Sequence, residues 1–241
     1  MKRISLFLLA ITTVASFSVN AQDHEDHDKN KPKVEGSGNV VTKDISVLSF
    51  DELSVSGVFN VELSQGSKEG VKIEADDNLQ PYFEVKNEGS KLIISMKKDV
   101  NYNSKKKLKV YVSFKKLKSM DLKTVGNVSS EENLSFDDLN LDNKSVGSVN
   151  LTLTAKTINL NNKSVGDVKL SGKASNATIK NKSVGSISAG TFVVQTMDID
   201  NDGIGAAVVN AEKELKVKDS FLGKVSNKGS ATIKRSEKVK I

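Results

Sequence analysis

The sequence predicts an all-β protein: a parallel β-helix or β-solenoid with rungs of about 19 residues, preceded by a β-rich N-terminal portion. Three observations predict it. First, Asn143-Lys144-Ser145-Val146-Gly147 recurs as Asn162-Lys163-Ser164-Val165-Gly166 and again as Asn181-Lys182-Ser183-Val184-Gly185, with glycines 19 residues apart. Self-similarity at a period near 20 residues is the mark of stacked structural repeats. Second, aromatics are scarce at 5% and Trp is absent, so apolar burial falls to Val, Ile and Leu, which suit strands. Third, only Pro32 and Pro81 interrupt the supply of backbone donors, and no long amphipathic helical pattern occurs.

Residues 1–21 read as a signal peptide. Lys2 and Arg3 form its positive end, Ile4 to Val14 its apolar run, and Val19-Asn20-Ala21 its small-residue cleavage site before Gln22. The run is too short for a membrane span, which needs about 20 residues, so the mature chain is expected to have no transmembrane segment. Absence of Cys excludes a lipid-anchored N-terminus, disulfides and thiolate chemistry. Export to the periplasm, cell surface or medium follows. Cleavage removes Lys2 and Arg3 and no acid, so the formal charge falls from +6 to +4. That is too weak a bias to point to nucleic acid, which an exported chain rarely meets.

Residues 22–35 are polar and aperiodic and read as a disordered linker. His24 and His27 lie there among acids, without the fixed geometry that selective metal binding needs. No metal or cofactor is expected. Residues 36–118 form the β-rich portion, with alternating runs at Val58–Leu63, Val71–Ala75, Leu92–Met96 and Leu108–Val112. Asp76 to Leu79 suggest one helical turn with an acidic cap before Pro81.

Residues 119–241 form the repeats, six copies centred on Gly126, Gly147, Gly166, Gly185, Gly205 and Gly223. Eight and six residues before the glycine stand apolar pairs such as Ile158 and Leu160. Four before it stand Asn143, Asn162, Asn181, Asn201 and Asp219. Period-two alternation puts these on one inward face. The asparagines are expected to form a ladder of stacked amides, a structural role. The residue just before each glycine is apolar: Val125, Val146, Val165, Val184, Ile204 and Leu222. Counted into the core, it needs a bend or bulge after the asparagine, because the step is odd. The glycine is expected to supply a turn conformation that a Cβ forbids. Lys144, Lys163 and Lys182 form an outward column, either a solvated edge or a strip for polyanions. A second basic run, Lys105-Lys106-Lys107 with Lys109, Lys115, Lys116 and Lys118, reinforces that strip if it shares the face.

Several segments in order carry a family resemblance: Gly36-Ser37-Gly38-Asn39-Val40, Phe50-Asp51-Glu52-Leu53-Ser54-Val55-Ser56-Gly57-Val58-Phe59, Ile73-Glu74-Ala75-Asp76-Asp77-Asn78-Leu79, Leu108-Lys109-Val110-Tyr111-Val112, and then the glycine repeats. From residue 36 to about 236 the chain resembles the head GIN domain family of auto-transporter adhesins from Bacteroidetes-type bacteria. That family's repeat reads Ser-Gly-Ala-Gly-Asp-Val; here Lys-Ser-Val replaces Ser-Gly-Ala. The resemblance implies a β-helical fold and export, and it transfers no catalytic residue.

The leading functional expectation is a non-enzymatic, adhesin-like binding or structural module facing an anionic glycan or another cell-surface component. Self-association through exposed end rungs is a further expectation. A β-helical polysaccharide-processing enzyme is the alternative, with Asp137-Asp138 or Asp198, Asp200 and Asp202 as its acids. An envelope structural protein with no dedicated ligand is the third.

Overall fold

A computed structural model describes residues 31–220 and 222–236. The signal-peptide segment, most of the polar tract and both histidines lie outside the described residues. The architecture is a β-solenoid of about six turns, with rungs about 20 residues apart.

Its body is four long strands, Val149–Asn162, Val168–Asn181, Ile187–Asn201 and Ala207–Asp219, each parallel to the next. Register advances by one repeat per rung, so Ile158 pairs with Ala177, Ala177 with Met197 and Met197 with Leu215. Identical positions therefore stack into columns about 4.8 Å apart. One column runs Leu92, Leu53, Met120, Leu141, Leu160, Ile179, Ile199, Val217; the facing one runs Val110, Val61, Val128, Val149, Val168, Ile187, Ala207, Val225. Every member is at most 3% exposed. Burying a Val, Leu or Ile side chain fully contributes about 1.5–3 kcal/mol, so these two columns are the main source of rung-to-rung cohesion.

The N-terminal portion belongs to the same stack, in an order that differs from chain order. Glu52–Gly57 lies between Lys91–Met96 and Ser119–Thr124, parallel to both. Asn60–Gln65 likewise lies between Lys109–Phe114 and Val128–Ser130. The later segment thus sits outside the earlier one. Antiparallel strands then extend this end: Gly70–Asp76 on Lys109–Phe114, Val40–Ile45 on Gly70–Asp76, and Phe83–Glu88 on Lys91–Met96. They occupy edges that would otherwise offer a parallel template to another chain.

Two local expectations are corrected. The polar tract is ordered by its end: Lys33–Glu35 pairs in parallel with Asn101–Asn103, and Gly36 N–H donates to the Asn103 carbonyl at 2.9 Å. The helical turn is a 3-10 turn at Gln80–Tyr82, with Leu79 at its N-cap and no side-chain cap. Asp76 does other work. It is fully buried, and its carboxylate accepts from Gly38 N–H at 2.7 Å and from the Ser104 hydroxyl. A Cβ on Gly36 would lie 2.4 Å from the same carboxylate, which explains a glycine there.

Candidate functional site

Each rung turns at its glycine, and the residues leading into that turn build the most regular surface of the molecule. The strand ends at Asn162 and the chain bends at Val165-Gly166, but backbone bonds to the preceding rung continue into the corner. Lys163 N–H donates to the Asn143 carbonyl at 2.8 Å and Val165 N–H to the Ser145 carbonyl at 3.0 Å, and the next rung repeats both bonds from Lys182 and Val184. Alternation is therefore unbroken: Asn162 in, Lys163 out, Ser164 in, Val165 out.

The inward side is polar, and its asparagine amides are paired from rung to rung. Asn143 Nδ2 donates to Asn162 Oδ1 at 2.9 Å, Asn162 Nδ2 to Asn181 Oδ1 at 2.7 Å, and Asn181 Nδ2 to Asn201 Oδ1 at 2.5 Å. Asn201 ends the row by donating to the Gly223 carbonyl at 2.6 Å. All four amides are at most 1% exposed, so each bond replaces water the site excludes. Asn162→Ala would strand the Asn143 donor and the Asn181 acceptor. We expect a loss of about 2 kcal/mol in urea-induced unfolding, the cost of buried groups left unpaired. A second inward column, Thr124, Ser145, Ser164 and Ser183, recurs two residues before the first four glycines, a signal in the repeat that the glycine and asparagine spacing leaves unused. Three of its hydroxyls close the turn: Thr124 donates to the Gly126 carbonyl at 2.8 Å, Ser164 to the Gly166 carbonyl at 3.0 Å and Ser183 to the Gly185 carbonyl at 2.8 Å, whereas the buried Ser145 hydroxyl has no partner among the described residues.

The outward side carries two parallel rows. Lys144, Lys163 and Lys182 are exposed, and none has an ion-pair partner among the described residues. Two residues on lies the apolar row, which corrects the expectation that it joins the core. Val125, Val146, Val165, Val184, Ile204 and Leu222 are 52–64% exposed. The odd step from the asparagine is real, but no bulge resolves it; alternation simply points these side chains outward. The register of Glu52–Gly57 on Ser119–Thr124 and of Asn60–Gln65 on Val128–Ser130 puts Val58 beside Val125, extending the row by one more exposed side chain. Among the described residues only Val40 and Leu48 are large exposed hydrophobics outside it.

The glycines are needed for a different reason than the expected turn conformation. None of the six has a positive φ. Their rungs approach so closely that a Cβ on Gly166 would lie 2.4 Å from the Gly147 carbonyl oxygen, and one on Gly185 equally close to that of Gly166.

The second basic run divides. Lys106 and Lys107 line a hollow with Val58 and Val125, at one end of the corner. Three of the others are ion-paired: Lys109 with Glu74 at 3.5 Å, Lys115 with Glu69 at 2.9 Å and Lys118 with Asp51 at 2.6 Å. A groove on another face has about 780 Å³, with Phe136, Ala155 and Ala174 in its lining and Lys156 and Asp137 joined at 2.8 Å. That leaves Lys173 as the one lining charge without an ion-pair partner among the described residues, against three in a row at the corner.

The candidate acids fall on different strands, Asp137 and Asp138 on Leu134–Asn143 and Asp198 and Asp200 on Ile187–Asn201. A hydrogen bond and charge from Lys156 hold Asp137 below the usual carboxylate range. A glycosidic general acid needs the reverse shift. Asp198 and Asp200 point outward from Ile187–Asn201, in register with Lys216 and Lys218 of the next rung. Among the described residues no group of three or more His, Cys, Asp or Glu is placed to hold a metal ion, and no helix is long and apolar enough to cross a membrane.

Comparison with known proteins agrees with the architecture. No curated protein matches. A solved structure from Bacteroides fragilis, titled a putative adhesin, is 29% identical, covers 84% of this chain and 100% of its own, and superposes with a TM-score of 0.73. A putative adhesin from Parabacteroides distasonis is 22% identical over 85% of this chain and 96% of its own, with a TM-score of 0.66. A third structure, from the same organism and titled a putative lipid binding protein, is 18% identical over 85% of this chain and 99% of its own, with a TM-score of 0.56. The last two share the fold. The profile described as "Putative auto-transporter adhesin, head GIN domain" matches residues 49–231, most of the chain, and the protein therefore belongs to that family.

Proposed function

We propose that the protein is an exported, non-catalytic binding module of adhesin type, and that its lysine corner engages anionic glycans on a cell surface. The observation that carries this reading is the row of Lys144, Lys163 and Lys182, exposed, without ion-pair partners and spaced by the rung repeat. Like charges about 5 Å apart repel and do nothing for folding. A polyanion with closely spaced charges relieves that repulsion, and the rigid stack spares it the entropy of ordering the site. Family membership and the 29% identical adhesin structure support a binding role, and the N-terminal residue pattern supports export.

The test is an array of acidic and neutral glycans, with lipopolysaccharide included, probed with the chain from Gln22 onward at low and high salt. Salt-sensitive binding to acidic members is the expected result, because exposed charges are screened within about 10 Å at 0.1 M. Equal binding to neutral glycans, or none at either salt, would remove the lysine row from the ligand site.

A further inference from the structure

The apolar row has no place in the fold's stability and none in glycan recognition. Seven side chains from Val58 to Leu222 stand more than half exposed in single file. At about 4.8 Å per rung they make a continuous apolar edge of roughly 29 Å. Soluble proteins scatter exposed hydrophobics singly; a contiguous set marks a surface that is covered in use. Beside this edge, two residues and so roughly 7 Å away along the chain, run Lys144, Lys163 and Lys182, with Lys123, paired to Asp121 at 2.5 Å, at the same position of the preceding rung. Lys106 and Lys107 flank its Val58 end. The acids on the same corner include Asp167, Asp202 and the Asp121 that pairs with Lys123.

We infer that this corner docks edge-on to a bilayer rich in anionic lipid, the apolar row entering the headgroup boundary while the lysines hold lipid phosphates. The inference rests on the lysine corner being the ligand face and names the ligand more closely: the anion is presented by a membrane. Charge complementarity selects this occupant. A second copy docked antiparallel on the same edge would set lysine row against lysine row, whereas an anionic bilayer attracts every lysine and accepts the apolar edge. Interfacial segments combine the same two elements, apolar side chains that penetrate about 5–10 Å and a flanking basic row. Each lysine near such a surface contributes to binding, and the effect fades within a Debye length.

The chain contains no Trp, so Val165→Trp places a single indole on the edge. Using the chain from Gln22 onward, vesicles of phosphatidylglycerol and phosphatidylcholine are expected to shift its emission to the blue, and vesicles of phosphatidylcholine alone are not. In flotation, Val146→Ser, Val165→Ser and Val184→Ser together should weaken binding to the anionic vesicles about tenfold or more, while leaving binding to a soluble acidic glycan unchanged. Lys144→Glu, Lys163→Glu and Lys182→Glu together should weaken vesicle binding at least about 100-fold. These side chains are exposed, so both triple variants should fold, which their melting curves verify. Serine variants that float as well as the parent would overturn the inference. So would a dimer that the serine variants dissolve without any vesicle binding; the edge would then be a contact between copies. Glycan binding without vesicle binding leaves the lysine reading standing and sinks this one. Vesicle binding without glycan binding supports this inference and removes the glycan, not the lysine corner, from the proposed function.

Discussion

Replacing Gly166 by Ala is expected to lower stability by about 3 kcal/mol, at the upper end of overpacking costs. The added Cβ would lie 2.4 Å from the Gly147 carbonyl oxygen and 2.5 Å from its carbon, and backbone cannot rotate away as a side chain can. Relief requires the two rungs to separate. Separation would stretch the bonds from Lys163 to Asn143 and from Val165 to Ser145, both at or below 3.0 Å, and the amide bond from Asn143 to Asn162. In a stack where each rung contacts only its neighbours, such damage lands on the interface between adjacent repeats and weakens the array at its middle. Gly89 offers the contrast. It has φ +59° and nothing within 4 Å of its added Cβ, so Gly89→Ala should cost only the about 1–2 kcal/mol of a left-handed backbone. Denaturant titration of both variants against the parent measures the difference. Equal losses would mean that the column glycines act through conformation and not through close stacking.

Reversing charge at Lys144, Lys163 and Lys182 together is expected to abolish binding to anionic ligands while leaving the fold intact. Each lysine near an anionic surface contributes about 1 kcal/mol. Removing three gives a loss of roughly 100-fold, and three glutamates add repulsion to that. Stability should hardly change, because exposed charges without ion-pair partners replace others of the same kind. Reversal at Lys156 and Lys173, in the groove, is the control. Lys156 is already neutralised by Asp137 at 2.8 Å, so its loss should leave ligand binding near the parent's. A solid-phase binding assay at low salt reads both variants. Comparable losses in the two would point to bulk charge and not to a corner site.

The repeat made the solenoid legible, because Ile158, Leu160 and Asn162 state the rung's inward parity and the 19-residue spacing states its stacking. The same parity also states that Val165 points outward. Hydrophobicity suggests the opposite, with a bend or bulge to reconcile the two; the chain does bend at Val165-Gly166, yet Val165 stays outward. Alternation prevails because backbone bonds from Lys163 and Val165 tie both residues to the preceding rung, which leaves their side chains on the outer side. Residue type alone therefore concealed the exposed edge, while spacing revealed it. The inserted order of the first rungs left no local trace. Glu52–Gly57 pairs with strands from two distant segments, and nothing in its own sequence names either partner. Lys33–Glu35 was hidden for a related reason: three polar residues gain order from one distant strand and not from a periodic pattern of their own.

Lysine footprinting addresses the corner most directly. The chain from Gln22 onward, acetylated with and without an acidic glycan bound, should show protection at Lys144, Lys163 and Lys182 and unchanged reactivity at Lys156 and Lys173. Protection confined to the groove lysines, or none at the corner while the ligand is bound, would contradict the assignment of the solenoid corner as the binding face.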